Sequence, residues 1–162
     1  MTGSCRLAPL GSPQGLSRRF APSWDMPATI TLFTDGAFAF GSPRPAYGWV
    51  AVGENGKRPV ATGSGQIPND GSNNFAGEAA AAIAALEFAV TQGARVVHLC
   101  TDLATLGDHL MGRFPNCRRK SAALLREFLP AHPDLQVVVT KVPSKHPFLE
   151  KAHHLARSAV AA

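Results

Sequence analysis

An alanine-rich segment in the middle of the chain is the feature that most constrains the fold. It runs from Glu78 to about Thr91, and Ala82, Leu86 and Ala89 recur along it at the spacing of one helix face. Short apolar runs bounded by turn residues lie on both sides of it, as is typical of strands. One helix between two groups of strands predicts an α/β fold.

Five strands are predicted from these apolar runs. They are Ile30–Thr34, Tyr47–Val52, Pro59–Gln66, Arg95–Thr101 and Leu135–Val142. The pair Asn55-Gly56 is typical of a tight hairpin turn, so the first three strands are expected to form an antiparallel meander. Arg95–Thr101 is almost continuously apolar, which indicates a strand covered on both faces.

Three further segments are predicted to be helical: Leu103–Met111, Ser121–Leu129 and Phe148–Ala161. Pro130 and Pro133 are expected to end the second of them. With Leu103–Met111 and Ser121–Leu129 counted as one helical region, the order of elements is β-β-β-α-β-α-β-α, which predicts a five-stranded mixed sheet with helices on its faces.

Length and composition exclude several classes of protein. The chain has 162 residues, of which 45% are hydrophobic and 17% charged, so it is expected to form one globular domain rather than a disordered chain. Its longest apolar run, Ala79–Leu86, is too short to span a membrane. The three cysteines show no C-x-x-C spacing, so a reducing compartment is expected. A net charge of +5 favours a polyanionic partner.

Residues 1–27 differ from the rest of the chain. Glycine and proline recur there without any apolar period, which predicts an irregular basic arm ahead of a domain over residues 28–162. Two alternatives are an organellar transit peptide and a true start at Met26. Cytoplasmic localisation is the main expectation.

Three acidic residues lie at positions in the predicted fold where they could form an active site. Asp35 and Asp102 each follow a predicted strand, and they meet if those strands are parallel neighbours. Glu78 opens the first helix, at the edge of its buried face. The alternatives are ordinary roles: turn or N-cap residues for Asp35 and Asp102, and a favourable interaction with the helix dipole for Glu78.

Several motifs together resemble ribonuclease H of type 1 over residues 29–160. Thr34-Asp35-Gly36-Ala37 is similar to the opening T-D-G-S, and Thr101-Asp102 to T-D-S. Ser72-Asn73-Asn74 followed by Glu78 and alanines resembles T-N-N-x-x-E-x-x-A, with one extra residue in the gap. This resemblance implies a ribonuclease H-like fold.

The resemblance also implies a site. Asp35, Glu78 and Asp102 would bind two divalent ions, Mg²⁺ or Mn²⁺, that drive phosphodiester cleavage. Gly36, Ala37, Asn73 and Asn74 would contact the substrate, with the two asparagines at ribose 2′-hydroxyls of RNA.

Two histidines mark departures from the family pattern. His153 stands where the family has its fourth acid, and as an imidazole ligand it would favour Mn²⁺ over Mg²⁺. The family's loop histidine corresponds to Pro143, and His146 is a candidate substitute for it. The alternatives are a surface histidine pair, His153 and His154, and a solvated loop histidine.

The expected function is therefore metal-dependent hydrolysis of the RNA strand of RNA/DNA hybrids by a monomer, without a membrane or an obligate protein partner. The basic residues Arg113, Arg118, Arg119 and Lys120 are candidates for contacts with DNA phosphates. Two alternatives remain open. One is a hybrid- or RNA-binding module that has lost hydrolysis, and the other is a different nuclease or recombinase on the same fold.

Overall fold

The computed structural model describes residues 29–39, 44–53, 56 and 58–161. Its elements in chain order are β1 (Thr29–Ala37), β2 (Ala46–Val52), β3 (Pro59–Gln66), α1 (Asn74–Thr91), β4 (Val96–Thr101), α2 (Leu106–Leu110), α3 (Lys120–Ala131), β5 (Gln136–Lys141) and α4 (Pro147–Ala161). The predicted arm, residues 1–27, and Asn55 of the predicted hairpin turn lie outside the described residues. Within the described ranges, no helix is long and apolar enough to cross a membrane.

The sheet has the strand order β3-β2-β1-β4-β5. Strands β1, β2 and β3 pair antiparallel, whereas β4 pairs parallel with both β1 and β5. The short connections between β1, β2 and β3 allow these strands to pair antiparallel. The connections that lead to β4 and β5 contain helices, which allow these strands to pair parallel. The predicted five-stranded mixed sheet is confirmed. The expected order had one helix between β4 and β5, but the two predicted helical segments form separate helices, α2 and α3.

Two apolar layers cover the sheet. On one face, Leu32 and Leu99 pack with Leu86 of α1 and with residues of α2 and α3. On the other face, Phe33 packs with Leu149 of α4. Leu32 and Phe33 are neighbours in β1, so the alternation of side chains along a strand separates the two layers. The helices thus cover both faces of β1, which carries Asp35. They cover β4, which ends just before Asp102, mainly on one face, because His98 on its other face is exposed, so the prediction that this strand is covered on both faces was wrong.

Four boundaries differ from the predictions by two residues or more. β1 continues through Asp35 and Gly36 to Ala37, because these residues still pair with β2. α1 begins four residues earlier than expected, at Asn74. α2 is shorter because Leu103 N–H donates to Thr101 Oγ1 at 3.1 Å, in a turn before the helix. Pro130 lies within the last turn of α3, where only one helical residue follows it, so the helix ends slightly later than predicted.

Candidate active site

Three carboxylates converge at the carboxyl ends of β1 and β4. One oxygen each from Asp35, Glu78 and Asp102 lies within 4.8 Å of the others. The register of the two strands explains this, because Phe33 pairs with Cys100 and two residues further on Asp35 and Asp102 reach the same level. Asp35 is only 6% exposed. The convergence anticipated from the sequence is therefore observed.

The ordinary alternatives for these acids do not fit the structure. Asp35 lies inside β1 rather than in a turn after it. The N-cap of α2 is Thr105, not Asp102. Glu78 lies in the second turn of α1, whose first turn contains no acidic residue. The prediction that Glu78 opens the helix was wrong, and a first-turn interaction with the helix dipole does not account for its position.

Direct contact between backbones positions Glu78 beside Asp35. A Cβ atom on Gly36 would lie 2.4 Å from Glu78 N and 2.5 Å from the carbonyl carbon of Gly77. A Cβ atom on Gly77 would lie 2.5 Å from the carbonyl oxygen of Ala46. The absence of a side chain at Gly36 is therefore what allows the start of α1 to approach β1.

The electrostatics of the cluster favour a bound cation. Burial and the neighbouring Asp35 carboxylate raise the pKa of Glu78 to about 10. The same two causes raise the pKa of Asp102. Glu78 Oε1 is buried and has no hydrogen-bond partner. A divalent ion would stabilise the charged forms of Glu78 and Asp102 and would give Glu78 Oε1 a partner. Carboxylate oxygens are ligands that both Mg²⁺ and Mn²⁺ accept. The three side chains therefore fit a metal centre.

His153 reaches this centre from α4. Its Nδ1 lies 2.5 Å from Asp35 Oδ2, and its side chain is 51% exposed. As predicted, Ala152 and Ala156 form part of the buried stripe of α4, while His154 is exposed. His153 is not one of the three residues whose ligand atoms converge within 4.8 Å. It is linked to the centre through Asp35.

The depth of His153 is set by contact between α4 and β2. A Cβ atom on Gly48 would lie 2.3 Å from the carbonyl oxygen of Ala152 and 2.7 Å from Ala156 N. The helix therefore rests directly on the strand that pairs with β1. This contact holds the His153 ring at the height of the Asp35 carboxylate.

The four residues open into a cavity of about 1020 Å³. Gly36, Ala37 and Asn74, three of the residues predicted to contact the substrate, also line it, and so do Lys145, Glu150 and Arg157, which were not predicted. Glu150 and Arg157 lie three residues before and four residues after His153. That spacing places all three on one side of α4, so it is a signal that would have found them.

Two predicted residues do not line the cavity. Asn73 is exposed, has a φ of 53°, and accepts a hydrogen bond at its Oδ1 from Asn69 Nδ2 at 3.0 Å. The ring of His146 stacks on Phe33 with 4.7 Å between centroids, and its Nδ1 accepts from Phe148 N–H at 3.2 Å. His146 thus packs with the apolar layer under α4, so the structure does not place it where a substitute catalytic histidine would act.

The predicted basic residues lie between α2 and the first residue of α3, and they do not line the cavity. Arg113 forms an ion pair with Asp108 at 2.7 Å. Arg118, Arg119 and Lys120 are exposed at the start of α3. An exposed cationic segment of this kind suits phosphate groups rather than a buried ligand.

Comparisons with known proteins identify the family of this chain and agree with its fold. The family model described as "Reverse transcriptase-like" matches residues 33–158. RNase H1 from the halophilic archaeon Halobacterium salinarum is 30% identical, with a TM-score of 0.66, over 82% of this chain and 98% of that one. No curated protein sequence matches significantly.

Two further structures share the fold at lower identity. The N-terminal RNase H domain of rv2228c from Mycobacterium tuberculosis is 20% identical, with a TM-score of 0.68, over 83% of this chain and 94% of that one. LC11-RNase H1 in complex with an RNA/DNA hybrid is also 20% identical, with a TM-score of 0.59, over 82% of this chain and 96% of that one.

Proposed function

This chain belongs to the reverse transcriptase-like family, and on that premise we propose that it is a ribonuclease H of type 1, a metal-dependent endoribonuclease that hydrolyses the RNA strand of RNA/DNA hybrids. The observation that carries the proposal is the convergence of Asp35, Glu78 and Asp102 within 4.8 Å. The 30% identity to the halobacterial RNase H1 over most of both chains supports it. So does the LC11-RNase H1 fold, since that protein binds an RNA/DNA hybrid.

Asp35, Glu78 and Asp102 would hold the divalent ions. Bound ions of this type supply Lewis-acid chemistry, by activating water and stabilising the leaving oxygen of a phosphodiester. Asp35 lies between the other two acids and His153, so its carboxylate is the central ligand. The hydrogen bond from the imidazole of His153 orients Asp35 Oδ2. A second ion that replaced this hydrogen bond would take the imidazole of His153 as a ligand, and because imidazole is a borderline ligand, the centre would then use Mn²⁺ at least as well as Mg²⁺.

The residues in and around the cavity indicate which parts of the protein would contact each strand of the hybrid. Asn74 and Ala37 line the cavity beside the acids, so they face the RNA strand that is cut. Asn73 is exposed next to them and reaches the ribose 2′-hydroxyls at the rim. Arg118, Arg119 and Lys120 contact the phosphates of the DNA strand.

Cleavage of labelled duplexes tests this function. An RNA/DNA hybrid, double-stranded RNA and double-stranded DNA of one sequence are incubated with the protein and either Mg²⁺ or Mn²⁺. We expect only the RNA strand of the hybrid to be cut, with chelation abolishing the reaction. Equal cleavage of double-stranded DNA would favour another nuclease on the same fold. Tight hybrid binding without cleavage in either metal would favour a binding module, the alternative suggested by His153.

Metal binding is expected to release a proton at neutral pH. Because burial and Asp35 raise the pKa of Glu78 to about 10, its carboxyl is protonated at pH 7 in the metal-free protein. A bound cation requires the carboxylate, so about one proton leaves per centre filled, and affinity increases with pH. Calorimetry of Mn²⁺ binding in buffers of different ionisation enthalpy measures this proton. Glu78→Gln should remove the buffer dependence, and heats independent of the buffer in the wild type would contradict the assignment.

The identity of residue 153 is expected to set the metal preference. His153→Asp restores a fourth carboxylate and should improve the rate in Mg²⁺ relative to Mn²⁺, because Mg²⁺ prefers oxygen ligands. His153→Ala should lower kcat by about tenfold, as losses of groups that orient a metal ligand do. His154→Ala is the control and should leave kcat unchanged. If His154→Ala were damaging and His153→Ala silent, the role assigned to His153 would be wrong.

A further inference from the structure

Asp70 connects two parts of the molecule that are distant in sequence. Its Oδ2 accepts hydrogen bonds from Ser121 N–H at 2.8 Å and from the Ser121 hydroxyl at 2.7 Å. Its Oδ1 accepts from Ser72 N–H at 3.0 Å and from the Ser72 hydroxyl. One carboxylate thus joins the loop before α1 to the first turn of α3, where backbone N–H groups lack helical partners.

The charge of Asp70 is well matched to these four donors. Burial alone would raise the pKa of Asp70, but the hydrogen bonds from Ser72 and Ser121 outweigh it and hold the pKa well below its usual range. The carboxylate is therefore ionised at any pH at which the enzyme would work. Charge-assisted hydrogen bonds are stronger than hydrogen bonds between neutral groups. This bridge is therefore suited to fixing the distance between the loop before α1 and the start of α3.

The bridge joins the two surfaces that would contact the two strands of a hybrid. On one side, Asn69 accepts from Gly71 N–H and Asn73 N–H, and its amide donates to Asn73 Oδ1. Asn73 is thereby held on the loop that Asp70 anchors. On the other side, the basic residues 118–120 directly precede Ser121.

We propose that Asp70 is a positioning residue for substrate binding, whose bridge to Ser121 fixes the distance between the Asn73 loop and the basic segment 118–120. The inference rests on the proposed function, since it requires a two-stranded substrate that spans both surfaces. Asp70 lies outside the acidic centre, so it affects binding of the hybrid and leaves the chemical step unchanged.

The test is the steady-state kinetics of Asp70→Ala on an RNA/DNA hybrid. We expect KM to increase by about fivefold with kcat unchanged, because misplaced contacts weaken binding without altering the reacting groups. Asp70→Glu should recover part of the loss. Ser121→Ala removes only one of the two hydrogen bonds to Asp70 Oδ2, so it should increase KM less than Asp70→Ala does. In the double variant with Asp70→Ala, it should add little to the increase in KM.

Two other effects of the substitution predict different results. Loss of a negative charge near a basic segment would, by itself, attract phosphates and lower KM. Partial unfolding would lower kcat through the loss of active protein and leave KM unchanged. Asp134→Ala, an exposed aspartate in the turn after α3, is the matched control for charge and should leave both constants unchanged.

An unchanged or lower KM in Asp70→Ala would overturn the positioning role. A wild-type protein that fails to cut hybrids would instead overturn the proposed function itself, so the two failures are distinguishable.

Discussion

Asp35→Asn is expected to abolish cleavage while leaving the protein folded. The amide is nearly isosteric with the carboxylate, so the hydrogen bond from Gly36 N–H to Oδ1, at 3.0 Å, can be kept. A neutral amide, however, gives up the central negative charge of the metal centre. We expect kcat to fall by roughly 10³-fold or more, the scale of losses when a central catalytic group is removed.

Thermal unfolding of the same variant separates chemistry from folding. Because Asp35 raises the pKa values of both Glu78 and Asp102, its neutralisation removes a buried charge that opposes the ionisation of these two acids. The melting temperature of the metal-free variant should therefore equal or exceed that of the wild type. Asp134→Asn, at an exposed position, is the control for amide substitution as such. A variant with near wild-type kcat would disprove the assignment of Asp35.

Gly36→Ala is expected to damage both stability and activity. The added methyl group would lie 2.4 Å from Glu78 N and 2.5 Å from the carbonyl carbon of Gly77, and these backbone atoms cannot rotate away. Relief requires α1 to move from β1, at about 1–3 kcal/mol for an overpacked site. Because that shift carries Glu78 away from Asp35, kcat should fall by about 10²-fold.

Gly53→Ala is the matched control for this substitution. A Cβ atom there would meet only Val60 Cγ1, at 3.6 Å, which is an ordinary contact. Chemical denaturation and steady-state kinetics on both variants provide the comparison. If Gly36→Ala matched Gly53→Ala in stability and kcat, the close contact between β1 and α1 would not be what positions Glu78.

The order of strands along the chain and the main helices could be predicted because each depends on a local pattern. The acidic centre could be predicted because its motifs resemble those of ribonuclease H of type 1. The alternation in β1 and the alanine spacing in α1 identify buried faces. The convergence of Asp35 with Asp102 then follows from the parallel pairing of β1 with β4. His153 was placed on the correct side of α4 because Leu149, Ala152 and Ala156 define the buried stripe of that helix.

Other features depend on tertiary contacts that no local pattern specifies. The end of β1 was missed because pairing with β2 carries the strand through Asp35-Gly36, a dipeptide typical of turns. The contact of Gly36 with α1 required the packing of helix on sheet. The stacking of His146 on Phe33 depends on how the loop before α4 folds back. No local pattern marks Asp70, because its partner Ser121 lies 51 residues later in the chain.

Anomalous scattering from crystals grown with Mn²⁺ would locate the metal. We expect a peak among the carboxylate oxygens of Asp35, Glu78 and Asp102, with loss of that peak in Asp35→Asn crystals. A second, weaker peak on the His153 side of Asp35 would mark the other ion. If the crystals held Mn²⁺ only elsewhere, or none at a concentration that supports hybrid cleavage in solution, the acidic centre would not be the site of metal-dependent hydrolysis.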